Sequence, residues 1–122
     1  MPAISPDGKL IACTYREEPL SPTKVALISV DGGAPLRLMD VKTLPFRGLI
    51  RWTRDGRSLA YINIRGGVSN IWLQPVDGGP ATQLTDFKEG RIFWFDFSPD
   101  GRSLAVARGR VSRDVVLVNS VK

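Results

Sequence analysis

The tetrapeptide SPDG stands at residues 5–8 and again at 98–101, and TRDG at 53–56 lies almost midway between the two copies. Counted from one turn aspartate to the next, the steps are 48 and 45 residues. A second marker, VDGG, occurs at 30–33 and returns 46 residues later at 76–79. Two independent markers with one period indicate a repeat architecture, and a period in the forties is typical of propeller blades or of helical arrays.

The segments between these markers predict strands and no helix. They are short, rich in Val, Ile and Leu, and bounded by Gly, Pro, Asp and Ser, which is the pattern of β-strands. None keeps an apolar stripe of helical period over three turns, which excludes helical arrays. The predicted strands are KLIACTY (9–15), KVALISV (24–30), RSLAYINI (57–64), NIWLQPV (70–76), RSLAVAR (102–108) and DVVLVNSV (114–121).

The residues of SPDG have separate roles in a tight turn. Pro6 presets the backbone at the first central position of a type I turn, Asp7 suits the second position, and Gly8 accepts the positive φ that follows. Arg54 replaces the proline in the middle copy, which weakens the turn without abolishing it. Each turn therefore joins two antiparallel strands.

Each repeat is then a four-stranded antiparallel meander, and small four-stranded sheets repeated around an axis are propeller blades. We expect one domain over residues 1–122, with blade 1 at 1–42, blade 2 at 47–86 and blade 3 at 91–122. The third unit stops after its third strand, so the fold class is all-β, a β-propeller fragment of about three blades with the last incomplete.

The repeats resemble those of TolB-type propellers. The resemblance rests on ISPDGKLIACTY (4–15), IRWTRDGRSLAYIN (50–63), SNIWLQPVDGGPATQLTDF (69–87) and FDFSPDGRSLAVARG (95–109), and it covers nearly the whole chain. Similar blades occur in prolyl-oligopeptidase-like peptidases and behind the kinase domain of some bacterial receptor-like kinases. The resemblance implies a closed ring of about six to eight blades that serves as a binding or gating platform, and the chain looks like the C-terminal end of a longer parent.

Three blades are fewer than closed propellers contain, so an open stack would leave apolar faces on both terminal blades. The last predicted strand would also be an uncovered edge, which favours association. Two copies of the chain make six blades. We therefore expect the chain to assemble with itself, as a homodimer that closes a six-bladed ring.

Composition limits the partners and the location of the protein. The net charge is +5, and basic residues cluster at 46–57 and 108–113. No nucleic-acid-binding motif accompanies them, so we interpret them as solvated loops and expect no nucleic acid partner. No apolar run approaches the ~20 residues of a membrane span. No signal peptide opens the chain, so the chain itself is expected in the cytoplasm, while a parent propeller is compatible with an extracytoplasmic location.

The sequence contains no histidine and a single cysteine. This composition excludes Ser-His-Asp triads, His-ligated zinc and thiolate clusters, so we expect no metal site and no cofactor. An enzyme built on this chain would be a metal-independent or carboxylate-based hydrolase. Cys13 occupies the strand position of Tyr61 and Val106 in the other repeats, which favours a small buried hydrophobe over a nucleophile.

The strand that leads into each turn contributes the remaining candidates. Aligned on the turn, Arg51 and Asp96 occupy one strand face in adjacent blades, which favours an ion pair across the blade interface. Alternation predicts that Phe93 and Phe95 are buried on one side, with Trp94 beside Asp96 on the other. The candidate ligand-binding residues are therefore Arg51, Trp94 and Asp96.

Two functions remain open. The first is a self-assembling binding or scaffold module with a small molecule or a peptide in a central channel or on the top face. The alternative is a low-efficiency hydrolase of activated esters or phosphotriesters, with a site in the channel or at the seam of the oligomer. Its candidate catalytic residues are Cys13, Tyr15, Arg51 and Asp96.

Overall fold

The computed structural model describes residues 2–16, 18–20, 24–40, 49–109 and 113–119. Within these ranges the chain forms eleven strands in three antiparallel sheets, and no segment is helical. The described part of the chain accordingly has no helix long and apolar enough to cross a membrane. Parts of the two basic clusters, residues 46–48 and 110–112, lie outside the described residues.

The strands follow chain order within each sheet, as a meander requires, and we name the three sheets blades 1, 2 and 3. Blade 1 consists of β1 (Ala3–Ile4), β2 (Leu10–Tyr15), β3 (Lys24–Ser29) and β4 (Arg37–Met39). Blade 2 consists of β5 (Ile50–Trp52), β6 (Ser58–Arg65), β7 (Val68–Pro75) and β8 (Thr82–Gln83). Blade 3 has three described strands, β9 (Arg91–Phe97), β10 (Ser103–Gly109) and β11 (Arg113–Asn119), with β11 at the edge of its sheet.

The turn between β1 and β2 is held by a side-chain network. The Ser5 hydroxyl donates a 2.6 Å hydrogen bond to Asp7 Oδ1 and accepts one of 3.0 Å from the Leu10 amide. Asp7 Oδ1 also accepts the Lys9 amide at 3.0 Å. The Gly8 amide closes the turn on the Ser5 carbonyl at 2.9 Å. Hydroxyl and carboxylate together satisfy main-chain donors that lie between the strands.

The other two turns repeat this network. The hydroxyls of Thr53 and Ser98 donate to Asp55 and Asp100 at 2.7 and 2.6 Å. The glycine that follows each aspartate has φ of +74°, +71° and +73° in the three copies, as the sequence predicts from the steric freedom of glycine. The middle turn keeps the same geometry without a proline, because the hydroxyl, the carboxylate and the glycine are all present.

Two apolar cores lie between the blades. The first joins Ala12, Val25, Leu27 and Met39 of blade 1 to Ile50, Trp52, Leu59 and Tyr61 of blade 2. The second joins Leu49, Ala60, Ile62 and Ile71 to Ile92, Phe95, Leu104 and Val106 of blade 3. Blade 2 thus buries both of its faces, which explains why β6 is apolar over consecutive positions instead of alternating.

The prediction that Phe93 is buried with Phe95 is wrong. Phe95 is fully buried, whereas Phe93 is 52% exposed. A β-bulge explains the difference: Trp94 pairs with Ala107 and Ile92 pairs with Arg108, so Phe93 is the extra residue of its strand. The bulge shifts the alternation by one position, and Ile92 takes the buried place expected for Phe93.

Replacement of the two phenylalanines by alanine should have very different effects. We expect Phe95→Ala to lower the free energy of unfolding by about 3–5 kcal/mol, because it empties a packed core site. Phe93→Ala removes the same atoms from a half-exposed site and should cost less than about 1 kcal/mol. Urea unfolding of both variants measures this difference, and equal losses would contradict the bulge.

Candidate functional site

The first strand of each blade contributes side-chain contacts that link the blades. The Trp52 indole Nε1 donates a 2.9 Å hydrogen bond to the Ala3 carbonyl, from β5 to β1. Arg51 Nε donates one of 3.3 Å to the Phe95 carbonyl, from β5 to β9. Trp52 therefore contacts blade 1 and Arg51 contacts blade 3, because successive side chains of a strand point to opposite faces.

Arg51 brings together the three residues that the sequence predicts as a ligand site, which we name the inner-strand cluster: Arg51, Trp94 and Asp96. Arg51 Nε lies 3.8 Å from Asp96 Oδ1, the ion pair that the strand alternation favours. The guanidinium carbon lies 4.7 Å from the centroid of the Trp94 ring. Trp94 is 47% exposed and Asp96 is also exposed, so both remain accessible.

The chemistry of the inner-strand cluster is that of a polar binding surface. The guanidinium and the carboxylate balance each other in charge, and an ion pair exposed to water contributes little stability. The indole offers a flat apolar surface beside hydrogen-bonding groups of both kinds. Among the described residues, no three His, Cys, Asp or Glu side chains converge where they could hold a metal ion.

Cys13 and Tyr15 lie elsewhere. Ala12 packs against blade 2, so its neighbour Cys13 projects from the opposite face of β2, and Tyr15 shares that face. No described blade covers this face, and both residues are only partly buried. The structure therefore does not bring the four candidate catalytic residues of the hydrolase hypothesis into one site within this chain.

A cleft of about 420 Å³ lies between the turns of blades 2 and 3. Arg54, Asp55, Asp100 and Arg102 line it, with opposite charges interleaved. The hydrogen bond from the Thr53 hydroxyl, and then that from the Arg57 amide, lowers the pKa of Asp55 below its ordinary value. These carboxylates therefore serve the turns, as their recurrence in the sequence suggests.

The hydroxyl residue that opens each turn is the contribution that sequence reasoning missed. Ser5, Thr53 and Ser98 each bridge a turn aspartate and a strand amide. The signal was available, since a hydroxyl residue opens all three copies of the motif. The sequence contains no comparable pattern that indicates the hydrogen bonds between one repeat and the next.

The chain is similar to curated proteins that are much longer. An uncharacterised protein from Agrobacterium fabrum is 42% identical over 101 residues, which cover 81% of this chain and 32% of that protein. A tricorn protease homologue from Streptomyces coelicolor is 31% identical over 102 residues, 84% of this chain and 9% of its own length. The chain thus spans a third or less of the curated relatives it matches. No family model matches it.

Solved structures decide the fold family. A TolB-type protein from Agrobacterium tumefaciens superposes with a TM-score of 0.72 at 36% identity, over 95% of this chain and 40% of that one. The chain is a run of TolB-type β-propeller repeats. TolB from Acinetobacter baumannii, at 22% identity and a TM-score of 0.75, supports the same fold over 98% of this chain and 29% of its own.

The TolB-type repeats also occur within an enzyme structure. Puromycin hydrolase superposes with a TM-score of 0.64 at 25% identity, over 98% of this chain and 20% of its own. The same blade architecture thus appears both in TolB proteins and in a hydrolase. Fold alone therefore does not distinguish a binding module from part of a peptidase.

The turn aspartates make stability depend on pH in acid. Hydrogen bonds from Ser5, Thr53 and Ser98, followed by those from strand amides, lower the pKa of the three carboxyls in the folded state. The ionised forms therefore favour folding above the unfolded pKa of about 3.9. This contribution is lost as pH falls through the lower folded pKa. Urea unfolding between pH 6 and pH 2.5 should show the loss.

Two variants isolate the middle turn. Asp55→Asn keeps an acceptor but does not titrate, so its unfolding free energy should fall less between pH 4 and pH 2.5 than that of the unsubstituted chain. Thr53→Val removes the hydroxyl donor, so the Asp55 pKa, followed by carboxyl NMR, should rise toward its usual value. An unchanged pKa in Thr53→Val would contradict the assigned cause.

Proposed function

We propose that the chain is a self-assembling β-propeller module that binds a peptide or a small polar molecule at the inner-strand cluster. The observation that carries the proposal is that the interface between blades 1 and 2 and the interface between blades 2 and 3 use equivalent contacts. Equivalent groups on blade 1 lack a counterpart among the described residues. A second copy of the chain would supply that counterpart and complete the channel.

The apolar faces show this recurrence. Trp52 of blade 2 packs against blade 1, and Phe97 of blade 3 packs in the core shared with blade 2. Ile4 holds the equivalent place in blade 1 and is 64% exposed. Leu38 is also exposed, and strand register places it on the same face of the sheet. This face therefore has the composition of a blade interface, and no blade among the described residues covers it.

The turns recur in the same way. Pro6 of blade 1 approaches Gly56 of the next turn, with its Cδ 3.8 Å from the place a Cβ would take. Arg54 in turn lies against Gly101, with its side chain 2.7 Å from the equivalent place. Apart from its chain neighbours, no described residue lies within 4 Å of the equivalent place at Gly8. In a ring of two copies, Pro99 of the second copy would lie against Gly8.

The inner-strand cluster supports the ligand half of the proposal. Its balanced charges and exposed indole suit the amide groups and side chains of a peptide better than a strongly charged ligand. Two of the similar proteins are a protease homologue and a hydrolase, which also favours a peptide. Hydrolysis is not proposed, because Cys13 and Tyr15 lie away from the cluster and no other observation favours it.

The mass of the 122-residue chain in solution tests the assembly. Light scattering on a sizing column should give twice the chain mass of 13.4 kDa. Gly8→Gln should convert the dimer to a monomer, because a long side chain blocks the place of Pro99 from the second copy. A monodisperse monomer for the unsubstituted chain would overturn the ring.

Gly66→Gln is the matched control for this substitution. Gly66 also has positive φ and, apart from its chain neighbours, no described residue within 4 Å of the place of a Cβ, but it lies in the β6–β7 turn, within blade 2. It should carry a similar backbone strain and leave the dimer intact. If both variants dissociate equally, the effect of Gly8→Gln comes from lost stability, and the turn contact is wrong.

The ligand site has a separate test. We expect members of a library of N-acetylated, C-amidated tripeptides to bind, as detected by saturation-transfer NMR. Trp94→Ala should weaken the best binders by at least about tenfold, or about 1.4 kcal/mol. Leu36→Ala removes an exposed apolar side chain of blade 1 and should leave binding unchanged. Equal affinities in the two variants would place the ligand elsewhere.

A further inference from the structure

A small cleft in blade 2 is independent of the inner-strand cluster and of any assembly. Its volume is about 210 Å³. All residues that line it belong to β6, β7, β8 and the segment after β8. The lining includes Asn63, Arg65, Asn70, Trp72 and Phe87.

Asn63 gives the cleft an unsatisfied acceptor. The residue is 3% exposed, and its Oδ1 atom has no hydrogen-bond partner. Buried side-chain oxygens in folded proteins are nearly always paired, and leaving one unpaired costs free energy. Asn63 lines the cleft, and the terminal torsion of its amide is soft. A ligand with an N–H or O–H group would then satisfy it.

Arg65 supplies the cleft with hydrogen-bond donors and a positive charge. Its guanidinium carbon lies 4.6 Å from the centroid of the Trp72 ring, which holds the side chain over the indole. The guanidinium makes no hydrogen bond to another described residue, so its donors remain available. Arg65 follows Asn63 by two positions on β6, and residues at that spacing share one face of a strand. Guanidinium groups bind carboxylates through two parallel hydrogen bonds.

The wall opposite these residues is fixed. Asn70 Nδ2 donates to the Phe87 carbonyl at 3.1 Å, and Asn70 Oδ1 accepts from the Phe87 amide at 2.6 Å. The Thr85 hydroxyl also donates to Asn70 Oδ1 at 2.9 Å. Asn70 is therefore committed to holding the segment after β8. Gln83 and Lys88 also line the cleft, but Gln83 donates to the Thr85 carbonyl and Lys88 pairs with Asp86. Asn63 and Arg65 are therefore the groups that we assign to ligand recognition.

We propose that this cleft binds a small carboxylate that carries an N–H donor on the adjacent carbon, as in an N-acylated amino acid or the last residue of a peptide. The carboxylate pairs with Arg65, and the N–H donates to Asn63 Oδ1. Val68 and Phe87 line the cleft and provide apolar contact for a short aliphatic side chain. The volume accepts one residue of this kind.

Titration calorimetry with N-acetyl-valine tests the site. Saturable binding is expected, at least tenfold weaker for N-acetyl-valine amide, which lacks the carboxylate, and for 3-methylbutyrate, which lacks the N–H. Acetyl-Gly-Gly-Val separates the two sources of the ligand: tighter binding indicates a peptide C-terminus, and equal or weaker binding indicates a free acyl amino acid. Absence of saturable N-acetyl-valine binding at 10 mM would overturn the proposal.

Two variants connect the binding to the named residues. Asn63→Leu removes the unpaired acceptor at similar volume, so it should keep or raise the urea midpoint while weakening N-acetyl-valine at least tenfold. Arg65→Gln should weaken it similarly, whereas Arg57→Gln, with the same charge change on an exposed turn residue, should not. Unchanged affinity in Asn63→Leu would also overturn the proposal, because that variant is expected to remain folded.

Discussion

The hydroxyl that bridges each turn aspartate to the following strand is the interaction on which the blades depend. Ser5, Thr53 and Ser98 each hold a carboxylate and a strand amide in the same geometry. The turn thereby fixes how the first two strands of a blade pair. A slip of one residue would move every side chain of a strand to the other face. Both apolar cores therefore rely on this small network.

The register set by the turns gives each blade two apolar faces. Leu59 and Tyr61 of β6 pack toward blade 1, while Ala60 and Ile62 pack toward blade 3. A blade of this kind is stable only between neighbours, as in other repeat architectures. The first strand of each blade is one of the places where neighbouring blades meet, and Arg51 donates there to the Phe95 carbonyl. The stacking of blade 3 on blade 2 thus brings the residues of the inner-strand cluster together.

The candidate site was predictable where it follows the repeat. Alignment on the turn places Arg51 and Asp96 at equivalent positions of adjacent blades, and the structure brings them to 3.8 Å. The same alignment could not show that Cys13 lies apart from Arg51 and Asp96. It predicts the strand face on which a residue lies, but not which blade covers that face. The repeat pattern did not point to Asn63 as a functional residue, because the other repeats carry Tyr15 and Arg108 at its position.

The sequence by itself determined the number of blades, the strand order and the turns, because turn chemistry and strand alternation act over a few residues and recur in each copy. Only the tertiary structure decided the bulge at Phe93, the stacking of Arg51 on Trp94 and the unpaired oxygen of Asn63. The bulge depends on how β9 pairs with β10, and the other two depend on groups from separate strands. Such contacts arise when the sheets pack, and no local pattern encodes them.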